Sequence, residues 1–153
     1  MTIAGILNEK GRNVVRVTPS TTVSQIVARL REYGIGAVLV VDPAAPRFDV
    51  RDHHIVGIIS ERDVIRALSV SASAGDVLDM SASQIMTEVR STISLAASLA
   101  DAAMLMTERR VRHLPVLDNE ILVGMVSIGD VVKARLMQQA NEVESLKAYV
   151  GGA

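Results

Sequence analysis

The chain is 153 residues long, carries no cysteine and has a formal net charge of −1. Those values exclude disulfides, thiolate catalysis and thiolate metal sites, and they lack the basic excess of a nucleic-acid binder. Hydrophobic residues make up 49% of the chain but aromatics only 2%. An aliphatic core is therefore expected, with few platforms on which bases could stack.

The opening stretch, MTIAGILNEKGRN, holds no apolar run of signal-peptide length. No later run approaches the roughly 20 apolar residues that span a bilayer. A cytoplasmic protein without membrane or nucleic-acid partners is expected. VRVTPS, around Thr18, reads as a short strand. Val23, Ile26, Val27 and Leu30 follow at i, i+3, i+4 and i+7, the spacing of one helix face. IGAVLVVD is a strand closed by an acidic turn residue, Asp42. Residues 43–54, PAAPRFDVRDHH, form a surface excursion within a hairpin. GIISERDVI, residues 57–65, carries a strand into a helix. The Ser/Ala/Gly start of the segment after it reads as a flexible linker.

The second half repeats this order. VRSTIS contains Thr92, Leu99, Ala102, Ala103 and Met106 mark a helix face, and VRHLPVLD ends at Asp118. Only Asn119 and Glu120 join it to the next strand, which predicts a tight hairpin. GMVSIGDVV, residues 124–132, then matches GIISERDVI: Gly57, Ser60, Asp63 and Val64 recur as Gly124, Ser127, Asp130 and Val131. Beyond it, Val132, Leu136, Gln139, Val143, Leu146 and Val150 form a heptad seam with one polar position. That seam predicts a helix that either folds back on its own domain or meets a partner. The fold class is α/β (α+β), built from two strand–helix–strand–strand–helix units and a C-terminal helix. Expected boundaries are 5–70, a linker at 71–84, 85–137, and a helix and tail at 138–153.

Each Ser-x-x-Asp lies where a strand meets a helix. A capping box accounts for that pattern by itself, with serine capping the helix and the acid reaching back. The same geometry suits a ligand. A carboxylate at a helix N-terminus stays ionised, and its two oxygens can accept from vicinal hydroxyls such as a ribose diol. The glycine three residues before each serine would let a ligand approach the backbone. Arg109, Arg110, Arg112 and His113 form a basic cluster suited to phosphate, or a solvated turn. Lys10, Arg12 and Arg16 form a weaker one. His53 and His54 near Asp49 and Asp52 read as solvated loop residues rather than a metal site. YGIGAVL lacks a dinucleotide fingerprint and runs from helix to strand. No nucleophile and base are picked out by spacing, so no catalytic residue is assigned.

VRVTPSTTV, IGAVLVVD and GIISERDVI in the first copy, with QIMTEVRST, VRHLPVLD and GMVSIGDVV in the second, resemble a tandem pair of cystathionine-β-synthase (CBS) domains. Such a pair is called a Bateman module, here of the stand-alone bacterial type. The resemblance covers about residues 5–135. It implies two βαββα-type units related by pseudo-two-fold symmetry, with ligand clefts between them. Members bind AMP, ADP, ATP, NAD(H) or S-adenosylmethionine. By position, one cleft would use Thr18, Gly36, Ala37, Ser127, Gly129 and Asp130. The other would use Thr92, Arg112, His113, Ser60, Arg62 and Asp63, and its basic residues would favour phosphate more strongly. Asp63 and Asp130 would hold ribose, and Lys10 could assist beyond the phosphate. Thr92 is followed by Ile93, where the first copy has Pro19, and two extra residues precede the second helix.

Three functions follow from these readings. One is a non-catalytic sensor of an adenosine nucleotide, AMP first, that acts through a homodimer or an unidentified protein target. A second is an assembly module that only dimerises. A third, an enzyme acting on the nucleotide, lacks a converging acid and base.

Overall fold

The computed structural model describes residues 1–44 and 55–152. The rest of the hairpin excursion, with His53 and His54, lies outside the described residues. In chain order the elements are α1 (Ile3–Lys10), β1 (Arg16–Val17), α2 (Val23–Tyr33), β2 (Ala37–Val41), β3 (Ile55–Ser60) and α3 (Glu61–Val70). There follow α4 (Ala74–Asp79), α5 (Ala82–Ile85), β4 (Ile93–Ser94), α6 (Leu99–Arg109), β5 (His113–Asp118), β6 (Ile121–Ser127) and α7 (Ile128–Gly151). Both copies thus take the expected strand–helix–strand–strand–helix order.

Each copy forms its own three-stranded sheet, β1-β2-β3 or β4-β5-β6. The first pair is parallel and the second antiparallel in both sheets. A helix must cross over between parallel strands, which is the place of α2 and α6. Capping boxes start them: Thr22 with Gln25, and Ser98 with Asp101. At their ends, Gly34 and Arg110 adopt the left-handed conformation that closes a helix. Asn119 and Glu120, both at positive φ, make the tight β5–β6 turn.

The chain divides into two compact units whose membership departs from the two sequence halves. One unit is Val14–Arg90; the other joins Met1–Asn13 to the chain from Ser91 onward. Each unit has its own aliphatic core. The expected boundary at residue 5 therefore moves. Helix α1 precedes the first copy in sequence, yet Ile3, Ile6 and Leu7 lie in the core around α6, β5 and β6. Correspondingly, α4 and α5 precede the second copy but pack in the first unit, where Val77 and Ala82 are fully buried. The segment read as a flexible linker is therefore largely helical. Ser73 accepts from the Asp76 N–H to cap α4, and apolar burial holds it in place. Helix α7 runs unbroken from Ile128 to Gly151, across the expected boundary at 137/138.

The glycines three residues before each serine serve this packing. A Cβ on Gly57 would stand 2.7 Å from the sulfur of Met86, and one on Gly124 2.7 Å from Cδ1 of Leu7. Side chains from the lead-in helices fill the space that the sequence reading left for a ligand.

Candidate functional site

Strand β3 ends at Ser60 and β6 at Ser127, each opening a helix. The serines sit there because the strand registers place them opposite Ala37 and His113. The chain then turns into helix. Glu61 N–H donates to the Gly36 carbonyl at 3.1 Å, and Ile128 N–H to the Arg112 carbonyl at 2.8 Å. Gly36, Ala37, Ser60, Arg62 and Asp63 thus gather in the first unit. Arg112, His113, Ser127, Gly129 and Asp130 gather in the second. Ala37 is buried, so only its backbone is available to a ligand. Arg62, Arg112 and Gly129 are exposed.

The boxes differ. In the second, Asp130 N–H donates to Ser127 Oγ at 3.2 Å and Ser127 N–H donates to Asp130 Oδ2 at 2.8 Å. Lys10 Nζ donates to the same Oδ2 at 2.6 Å and to the Met125 carbonyl at 2.9 Å. Oδ1 of Asp130 receives no donor from the described residues. Partial burial pushes the Asp130 pKa up. Hydrogen bonds from Lys10 and Ser127, with the charge of Lys10, outweigh burial and hold it below the usual carboxylate value.

In the first box, Asp63 is only 5% exposed. Its Oδ2 accepts from Ser60 N–H at 2.7 Å and from Ser60 Oγ at 3.1 Å. Its Oδ1 accepts from Thr87 Oγ1 at 2.7 Å and from Arg66 Nη1 at 3.2 Å. A carboxylate offers about four acceptor sites, so Asp63 is saturated by its own unit. Arg66 and Thr87 were not identified from the sequence. The i,i+3 spacing of Asp63 and Arg66 was a usable signal. Thr87 was not recoverable, because its reach to Asp63 follows from α5 docking and the Ile58–Thr87 bridge. Lys10, expected near a phosphate, instead meets the acid of the second box.

The strand register also corrects Thr92. Val17 pairs with Val40 and Ile93 with Val116, and those partners are equivalent positions of β2 and β5. Ser94, not Thr92, therefore stands where Thr18 stands in the first copy. Counting back from the helix caps recovers this, since Thr18 and Ser94 each lie four residues before Thr22 and Ser98. Thr18 Oγ1 lies 3.1 Å from Thr21 Oγ1 and 3.3 Å from Ser20 Oγ. Arg110, grouped with the basic cluster, is the left-handed cap of α6. No group of metal-ligating side chains occurs among the described residues. None of their helices is long and apolar enough to cross a membrane.

The family model for the CBS domain matches residues 10–70 and again 82–137. A mitochondrial CBS domain-containing protein of Arabidopsis thaliana is 32% identical over 99% of this chain and 72% of its own length. Among solved structures, a CBS-domain containing protein of Agrobacterium tumefaciens superposes with a TM-score of 0.77 at 33% identity, over 88% of this chain and 99% of that one. A CBS domain protein of Pyrobaculum aerophilum, complexed with AMP, superposes with a TM-score of 0.71 at 25% identity, over 92% of this chain and 99% of that one.

Proposed function

The chain belongs to the CBS domain family, and from that premise we propose that it is a non-catalytic regulatory module that binds an adenosine nucleotide. AMP is the first candidate, and ADP, ATP and NAD(H) are the others. The observation that carries this reading is Oδ1 of Asp130: an acid held ionised at a helix start, with one oxygen already fixed and the other open to a hydroxyl. Charge-assisted hydrogen bonds to an ionised acceptor are the stronger kind. The AMP complex of the Pyrobaculum protein supports the choice of ligand.

In this reading Asp130 takes a ribose hydroxyl, and Ser127 holds the acid in place. Gly129 leaves space at the helix start, where an added Cβ would meet only Ser127 Oγ, at 3.6 Å. Arg112, His113 and Arg62 are the proposed phosphate contacts of the other site, that of Asp63. Thr18 and Ser94 supply hydroxyls, and Gly36 and Ala37 supply backbone. Lys10 neutralises Asp130 in the absence of a sugar. Asp63 serves ribose only if Arg66 or Thr87 yields its place, so Asp130 is the stronger acceptor. Output passes through a homodimer or another protein.

Titration calorimetry of the full chain with AMP, ADP, ATP and NADH tests the reading. Binding by wild type and at least a tenfold loss in Asp130→Asn, with a smaller loss in Asp63→Asn, is expected (tenfold is about 1.4 kcal/mol). No heat with any of the four at millimolar concentration would sink it. The saturated Asp63 box favours the alternative of a pure assembly module, which would then stand.

A further inference from the structure

Helix α7 is 24 residues long, but its buried residues are Val131 and Ala134. From Gln139 to Val150 every residue is exposed. A helical segment of about a dozen residues that buries none of its side chains is marginal in water, because nucleation is costly. This one exposes a row of apolar side chains: Val132, Leu136, Val143, Leu146 and Val150. Leu146 is 65% and Val150 74% exposed. At its start the row runs into a shallow apolar groove of about 450 Å³ lined by Ile128, Gly129, Val132, Lys133, Leu136 and Met137. The groove lies beside the box that holds Asp130.

We propose that α7 pairs with α7 of a second copy of this chain as a parallel, in-register, two-stranded seam. The row has heptad spacing, with Leu136, Val143 and Val150 at a positions and Val132, Gln139 and Leu146 at d positions. Val143 and Val150 at a with Leu146 at d match the pattern that favours two parallel strands, while Leu136 at a and Val132 at d depart from it. Charge selects the direction. In a parallel pair, Glu142 at g faces Lys147 of the second copy at e, five residues on, and the mirror pair repeats it. An antiparallel pair that matches every layer centres near Asn141. It sets Glu142 against Glu142 and Lys133 against Lys147, which are like charges at close range. A second copy is thus the occupant whose charges fit.

The proposal takes its occupant from the dimer reading above and does not depend on the ligand. One consequence follows for the surface. Val132 lies two residues beyond Asp130, so a ligand held at that acid and the first layer of the seam share one helical turn. Over the first turns of α7 the side away from the seam is the one that buries Val131 and Ala134 in the core of its own unit.

Sedimentation equilibrium of the full chain should give a dimer, and Leu146→Glu should raise its dissociation constant at least about tenfold while leaving both units folded. Glu142→Lys should weaken the dimer, and adding Lys147→Glu should restore it. The chain has no cysteine of its own, so Val150→Cys reports direction: a parallel seam gives an oxidised, covalently joined dimer. A monomeric wild type overturns the dimer reading and the seam together. A dimer that survives Leu146→Glu overturns the seam and leaves the dimer reading standing. A dimer in which Val150→Cys fails to cross-link overturns the parallel direction.

Discussion

The ammonium of Lys10 lies 2.6 Å from Oδ2 of Asp130, which ties the end of α1 to the start of α7. The pair is partly exposed, with 37% of the lysine and 23% of the aspartate side chain accessible. Its stabilisation should therefore be small, about 0.5–1 kcal/mol. Its pH dependence has a definite sign. The folded pKa of Asp130 is depressed, so this stability is present above the unfolded value of about 3.9 and lost as pH falls through the folded pKa. Lys10→Met removes the largest favourable contributor and leaves burial opposed by Ser127 alone. The Asp130 pKa, followed by carboxyl-carbon NMR, should rise in that variant. An unchanged titration would show that Lys10 does not hold the acid.

Asp63 gives the opposite case, an acid with both oxygens already engaged. Thr87→Val removes the hydroxyl that donates to Oδ1 at 2.7 Å and keeps the side-chain shape. Hydrogen bonds to buried charged groups are worth about 1.5–3 kcal/mol. A loss of that size in urea unfolding is expected, together with loosening of α5 against β3. If Thr87→Val improves nucleotide binding at Asp63 while costing stability, the hydroxyl is a competitor for the ligand.

Leu7 precedes the first copy but is buried in the core of the second. Leu7→Ala should cost about 2–5 kcal/mol, the usual penalty for a buried leucine that leaves a cavity. Hydrogen exchange should place the damage. Protection should fall in β5 and β6, while β2 and β3 keep theirs. Loss in β2 and β3 first would contradict the exchange of lead-in helices.

Local chemistry was legible in the sequence and long-range docking was not. Ser60, Asp63, Ser127 and Asp130 were readable because a capping box lies within four residues and the repeat showed it twice. Asn119 and Glu120 were readable as a turn for the same reason. The places of α1 and α5 were not, because no periodicity in a short helix says which sheet will bury it. Gly57 and Gly124 show the cost of that gap. Their absence of a side chain reads as room for a ligand until Met86 and Leu7 are known to fill it. Thr92 stands two residues ahead of the position equivalent to Thr18, because the second copy has two more residues between that threonine and its helix cap. The unequal state of the two acids depends on Lys10, Arg66 and Thr87, and Lys10 and Thr87 arrive from segments distant in sequence.

The left-handed cap of α6 exposes a difference between the copies that can be measured. Gly34 ends α2 at φ 60° and Arg110 ends α6 at φ 53°. Glycine reaches that region freely, whereas a side chain there costs roughly 1–2 kcal/mol. Arg110→Gly should therefore stabilise the second unit by up to about 1 kcal/mol, because glycine also gains entropy in the unfolded chain. The Arg110 N–H keeps its bonds to the Met106 and Thr107 carbonyls, since these use the backbone alone. Binding discriminates the cap from a phosphate ligand. If Arg110 only closes the helix, the glycine variant melts higher and binds AMP as wild type does. A variant that melts higher but loses AMP would mean the arginine is kept, at the expense of stability, for its charge.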